Sequence, residues 1–268
     1  MLTLAPGEVH LWLACYDRFA SSDLPAGYRE LLTDEERVQM ARFHFERDRL
    51  RYLVTRALVR STLSRYMPIP AADWRFTVND YGRPAIAARH GDACALHFNL
   101  SHTHSLITLA LTREAAVGVD VENVTSRAAP IEVADRFFSR DEARELRTLE
   151  PARQQHRFFE YWTLKESYIK ACGMGLSIPL DRFTFSYPSE ATVLLDTDPD
   201  LDEAPQRWTF WQLQPSPDYL VSLCLEQRFV EAPRLVLQPA LPQIACPLSA
   251  TPVELSAALR RRSPPRQP

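Results

Sequence analysis

The chain has 268 residues, 46% of them hydrophobic, and carries 31 Lys and Arg against 34 Asp and Glu, for a formal net charge of -3. That length allows one large core or two smaller ones, and the balanced charge gives no broad basic field, so nucleic acid is not an expected partner and any anionic ligand must be met locally. Five cysteines, at 15, 94, 172, 224 and 246, form no CxxC pair, which speaks against a disulfide framework or structural zinc and for a reducing, cytoplasmic setting.

The N-terminal apolar run at 11–16 is too short for a signal segment or a membrane span, so no membrane association is expected. Val9, Leu11 and Leu13 alternate over 9–15 in the period of a strand that opens a sheet. From Thr33 the pattern turns helical. Between 46 and 66, Leu50, Leu53, Val54, Ala57 and Leu58 keep the spacing of one buried helix face, with Arg47, Arg51, Arg56, Arg60 and Arg65 expected on a solvated side. Pro68 and Pro70 stop that helix, and 74–78 reads as a strand entering a turn at Asn79, Asp80 and Gly82.

Runs at 97–100 and 106–111 read as a hairpin, and 117–121 as a further strand, placing a boundary between halves near 113. Ser139 and Glu142 have the spacing of a capping box opening a helix to 149. Pro151 interrupts, and a second helix is expected from 154 to 172, where Gly173 and Gly175 stop it. Strand-like stretches recur at 182–187, 208–214 and 219–225. The expected division is 1–113, 114–230 and a tail at 231–268, rich in Pro, Ala and Arg, that is disordered or loosely packed.

The segment Val117-Gly118-Val119-Asp120-Val121-Glu122 puts its valines on one strand face and Gly118, Asp120 and Glu122 on the other. Adjacent carboxylates repel and raise a pKa unless something positive lies between them, and a hard divalent cation meets that need with oxygen ligands. An isolated pair of this kind more often marks a solvated face, so the weight comes from its companions. Trp162, Glu166 and Lys170 recur at four-residue steps on one helix face. Glu166 and Lys170 alone would form an exposed ion pair contributing about 0.3–0.5 kcal/mol. Phe158, Phe159, Tyr161, Leu164, Tyr168 and Ile169 make the helix apolar over much of its circumference, however, and partly buried charges need partners or a function.

His102 follows Asn99-Leu100-Ser101, with His104 two residues on. Zinc would want more nitrogen or sulfur than this neighbourhood offers, whereas Asp120, Glu122 and Glu166 form an all-oxygen set suited to magnesium. Tyr81-Gly82-Arg83-Pro84 is a turn with a cation, in which Gly permits close backbone approach and Arg can grip a phosphate in a bidentate manner.

In this order, YGRP at 81–84, FNLSH at 98–102, VGVDVE at 117–122, RFFS at 136–139 and WTLKESYIKA at 162–171 resemble the Sfp-type 4'-phosphopantetheinyl transferase family, over about residues 10–225. The resemblance implies an α+β fold of two similar halves, each a small antiparallel sheet plus a long helix, related by a pseudo-twofold with the active site in the cleft between them. It implies that Asp120, Glu122 and Glu166 hold Mg²⁺ at the pyrophosphate of coenzyme A and that Ser101 and His102 contact phosphate. Gly82, Arg83 and Pro84 would line the nucleotide end, and Lys170 would approach the α-phosphate side.

The implied reaction moves phosphopantetheine from coenzyme A to a serine of an apo carrier protein of fatty-acid, polyketide or nonribosomal peptide synthesis, releasing 3',5'-ADP. The product of such a holo-[acyl-carrier-protein] synthase is the holo carrier. Glu166 would take the serine proton, with Lys170 and His102 stabilising charge. A monomer is expected, since one chain supplies both cleft walls. One departure concerns the 3'-phosphate: where the family has basic residues, this chain reads Glu35-Glu36-Arg37-Val38-Gln39, leaving Arg37, Arg42 or Arg51 as substitutes. Two rival readings are a metal-dependent phosphoester hydrolase, which gives Lys170 and the 81–84 turn no role, and a non-catalytic carrier-protein-binding module, against which no motif carboxylate is missing.

Overall fold

The computed structural model describes residues 1–16, 24–201, 204–230, 232–238 and 258–264. Its first strand, β1 (Glu8–Cys15), is buried along its whole length. Val9, Leu11 and Leu13 cluster with Val117, Val119 and Val121, while Trp12 and Ala14 cluster with Val54, Leu58 and Leu63 of a long helix. Side chains alternating across the strand thus join two layers of core.

The helices α1 (Leu24–Glu30), α2 (Asp34–Ala41) and α3 (Glu46–Leu63) follow. α3 is the expected long helix of the first half, but not all its arginines are solvated. Arg60 is 1% exposed, pairs with Glu36 at 2.9 Å and donates to the Trp74 carbonyl at 2.8 Å. The expectation fails there because the carboxylate comes from α2, and spacing within one helix does not report a partner on another.

β2 (Phe76–Val78) and β3 (Pro84–Ile86) pair as a short hairpin, of which β3 was not expected. β4 (Leu96–His102) and β5 (Leu106–Arg113) form the expected antiparallel hairpin, and β5 pairs with β1. The order continues with β6 (Val117–Asn123), α4 (Ala134–Phe137), α5 (Arg140–Thr148), α6 (Pro151–Cys172), β7 (Phe183–Ser189), β8 (Thr192–Thr197), β9 (Trp208–Ser216), β10 (Tyr219–Glu226), β11 (Arg234–Leu237) and β12 (Leu259–Arg262). Ser139 and Glu142 cap α5 reciprocally, as their spacing predicts. Pro151 sits in the first turn of α6, where its missing N–H costs nothing, so the helix begins there and not at 154.

The strands make a four-stranded sheet in the order β11-β1-β5-β4 and a six-stranded sheet in the order β6-β10-β9-β12-β8-β7. Phe159, Leu164 and Tyr168 of α6 cluster with Phe183, Phe210 and Leu220 of the second sheet. Within the segment expected to be a loose tail, β11 pairs in parallel with β1, and β12 lies between β9 and β8. Residues 231, 239–257 and 265–268 of that segment lie outside the described residues. Cys15 is disulfide-bonded, contrary to the expectation drawn from the scattered cysteines, because separation along the chain says nothing of proximity in space. No helix among the described residues is long and apolar enough to cross a membrane.

Candidate active site

Among the described residues, β4 and β6 are edge strands of different sheets, and an edge presents backbone N–H groups that need acceptors. Side chains supply them here. Asn99 Oδ1 accepts from the Val119 N–H at 2.9 Å, Ser101 Oγ from that of Val121 at 3.3 Å, and Thr103 Oγ1 from that of Asn123 at 3.1 Å. Residues at the strand period of two on one side thus answer residues at the same period on the other, joining the two sheets along a seam.

The valines of β6 face the apolar cluster shared by the sheets, and its opposite face meets α6. Gly118 sets how closely the helix approaches. A Cβ there would fall on the Ser167 carbonyl oxygen and 2.5 Å from the Ala171 nitrogen. With α6 seated this way, Trp162, Glu166 and Lys170 line a cavity of about 330 Å³ together with Ser101, His102, Asp120 and Glu122.

Asp120 is only 5% exposed. Its Oδ1 accepts from Lys170 Nζ at 2.6 Å and from Ser101 Oγ at 2.8 Å, while its Oδ2 is buried without a hydrogen-bond partner among the described residues. The Glu122 carboxyl is pushed up to about 7, chiefly by burial and then by Asp120, with Arg127 opposing. Glu166 is likewise pushed up to about 7 by burial and then by Asp120. His102, at the rim, lies below its ordinary value, first through the surrounding protein and then through the Arg51 charge. Among the described residues no three His, Cys, Asp or Glu side chains stand ready arranged as a metal cage, and Lys170 supplies the cationic charge at Asp120.

The structure therefore brings together Ser101, His102, Asp120, Glu122, Glu166 and Lys170, and leaves Gly82, Arg83 and Pro84 outside the cavity lining. Gly82 adopts φ 82° at the turn between β2 and β3, a conformation open to glycine at little cost. Arg83 donates to the Ala171 carbonyl at 2.7 Å and to the Val117 carbonyl at 3.0 Å, and Asn79 Nδ2 donates to the Gly173 carbonyl at 2.8 Å. The turn thereby caps the C-terminus of α6, where carbonyls lack intrahelical partners.

Two contributions escape sequence reasoning. One is the acceptor role of Asn99 and Thr103, for which the only signal is polar residues at period two around an otherwise apolar strand. The other is Lys165, which is fully buried, pairs with Glu142 at 2.8 Å, and donates to the Leu180 and Phe183 carbonyls at 2.7 and 2.6 Å. It anchors α6 on a face roughly 100° around the helix from the one that carries Glu166.

Residues 25–114 match the family model described as 4'-phosphopantetheinyl transferase, N-terminal, and residues 116–224 that of the 4'-phosphopantetheinyl transferase superfamily. The chain is 32% identical over 180 residues to the 4'-phosphopantetheinyl transferase Sfp of Bacillus subtilis, covering 67% of this chain and 77% of that protein. It is 30% identical over 226 residues to HetI, a 4'-phosphopantetheinyl transferase of a Nostoc species, covering 84% of this chain and 90% of the relative. Among solved structures, the holo-[acyl-carrier-protein] synthase of Thermotoga maritima matches with a TM-score of 0.35 and 22% identity, over 43% of this chain and 65% of that one. By these similarities, the chain belongs to the Sfp-type 4'-phosphopantetheinyl transferase family.

Proposed function

We propose that this chain transfers the 4'-phosphopantetheine arm of coenzyme A to a serine of an apo acyl or peptidyl carrier protein, making the holo carrier and releasing 3',5'-ADP. The observation that carries the reading is the convergence of Asp120 and Glu122 from β6 with Glu166 and Lys170 from α6 and His102 from β4 on one cavity. The donor set fits magnesium: three carboxylates share the cavity, two of them pushed up to about 7 by burial and then by the Asp120 charge, and Asp120 keeps a buried oxygen without a hydrogen-bond partner among the described residues. Asp120, Glu122 and Glu166 would hold the ion, which supplies charge neutralisation at the pyrophosphate.

The carrier serine oxygen attacks the β-phosphorus, the bond from that phosphorus to the bridging oxygen breaks, and the electron pair leaves with 3',5'-ADP. Glu166, beside Asp120 and Lys170 on the cavity wall, accepts the serine proton. Lys170 stabilises charge growing on the leaving phosphate, and His102 binds a phosphate oxygen at the rim. Arg37, Arg42 and Arg51 are the arginines open to the 3'-phosphate, and the reach of the Arg51 charge to His102 supports Arg51 among them. The site lies in the cleft between two halves, 1–113 and 114–230, related by a pseudo-twofold; a long helix beside antiparallel strands in each supports this. The enzyme works as a monomer, because one chain supplies both walls of the cavity.

The test is nucleotide release: coenzyme A and Mg²⁺ yield 3',5'-ADP only when an apo carrier is present. Release at the same rate without carrier points to a hydrolase.

A further inference from the structure

Ser101 is 7% exposed and belongs to β4, yet its hydroxyl meets three groups on two other elements, β6 and α6. A serine hydroxyl has one proton to donate and two lone pairs to accept with. All three are taken. The proton goes to Asp120 Oδ1 at 2.8 Å, one lone pair accepts from the Val121 N–H at 3.3 Å, and the other accepts from Lys170 Nζ at 3.1 Å.

We propose that Ser101 is a positioning residue, the middle rung of the side-chain ladder between β4 and β6 that holds Asp120 and Lys170 in register. The rungs on either side, Asn99 with Val119 and Thr103 with Asn123, fix the same seam. The middle rung differs because its hydroxyl also orients the two charged groups that meet the substrate. Loss of the Ser101 oxygen leaves the Val121 N–H, on an edge strand, without its acceptor, and leaves Asp120 Oδ1 with Lys170 alone.

This inference rests on the transferase reading, and its test separates the two. Ser101→Ala is measured by calorimetry for coenzyme A affinity in Mg²⁺, by steady-state transfer, and by NMR amide exchange. The expected result is coenzyme A affinity within about twofold of wild type, a kcat reduced at least tenfold, and Val121 amide exchange accelerated at least tenfold while the Val119 amide keeps its protection. A tenfold loss of coenzyme A affinity with kcat retained, or unchanged exchange at Val121, overturns the proposal. Should Ser101→Ala misfold, Thr103→Ala removes an end rung and is expected to accelerate exchange at Asn123 with coenzyme A affinity kept; unchanged Asn123 exchange counts against the ladder. A wild-type protein that binds no coenzyme A sinks the functional reading, while the exchange result at Val121 still decides the role of Ser101 in the seam.

Discussion

Substituting Gly118 by alanine adds one methyl where α6 crosses β6. The new carbon would lie 2.5 Å from the Ala171 nitrogen and closer still to the Ser167 carbonyl oxygen. Comfortable contacts between heavy atoms sit at about 3.5–4.0 Å, so the helix has to retreat by roughly 1.5 Å. Both obstacles are backbone atoms, so no rotamer change relieves them, and the cost reaches the upper part of the roughly 1–3 kcal/mol range for overpacking. For a chain of this size each kcal/mol lowers Tm by about 2–4 °C, giving an expected drop of roughly 6–12 °C by calorimetry. The chemistry suffers more, because Glu166 and Lys170 ride on the displaced helix and a misplacement of about 1 Å can cost on the order of 100-fold in rate. A Gly118→Ala protein with wild-type Tm and turnover would show that α6 does not press on β6 as described.

Other perturbations separate binding from support. Lys170→Ala is expected to lower kcat more than coenzyme A affinity, because its charge acts on the leaving group; an affinity loss with unaltered turnover moves it to a binding role. Arg83→Met strands the Ala171 and Val117 carbonyls at a cost of about 1–3 kcal/mol, so Tm should fall while coenzyme A affinity holds, and the opposite pattern would make Arg83 a nucleotide contact. The Glu160 carboxyl is buried, which pushes its pKa up, but His156, Arg261 and Arg157 outweigh that and hold it down to about 2. Since the folded value lies below the ordinary 4.5, its stabilisation, roughly 3 kcal/mol, is full above about pH 4.5 and is lost as pH falls towards 2. Glu160→Gln should therefore lower Tm at pH 7 and flatten the acid limb of stability against pH; an acid limb identical to wild type would refute the assignment.

Local pattern made much of the fold legible. Alternation marked β1, spacing marked α3 and α6, and the Ser139 and Glu142 pair marked the start of α5, because each of these is set by neighbours within a few residues. What stayed hidden depends on distant partners. Arg60 resembled a surface charge until α2 brought Glu36 to it, and β12 became a strand within a sheet by pairing with β9 and β8 while its Arg261 met the buried Glu160 at 2.6 Å. In the site, the two acids of β6 and the Glu166, Lys170 face of α6 were each readable as periodic patterns, and their meeting in one cavity followed only from the family resemblance. The 81–84 turn read as a phosphate grip because an arginine beside a glycine has that chemistry, yet the same donors serve equally well as a cap on helix carbonyls.

The central claim is that acids from β6 and α6 act on one reacting centre. Intact-mass spectrometry of an apo carrier protein, incubated with coenzyme A, Mg²⁺ and either wild type or Asp120→Asn, tests it most directly. The account predicts a gain of one phosphopantetheine per carrier with wild type and none with a folded Asp120→Asn. An unmodified carrier with wild type across several carrier types, or equal modification by both proteins, would contradict it.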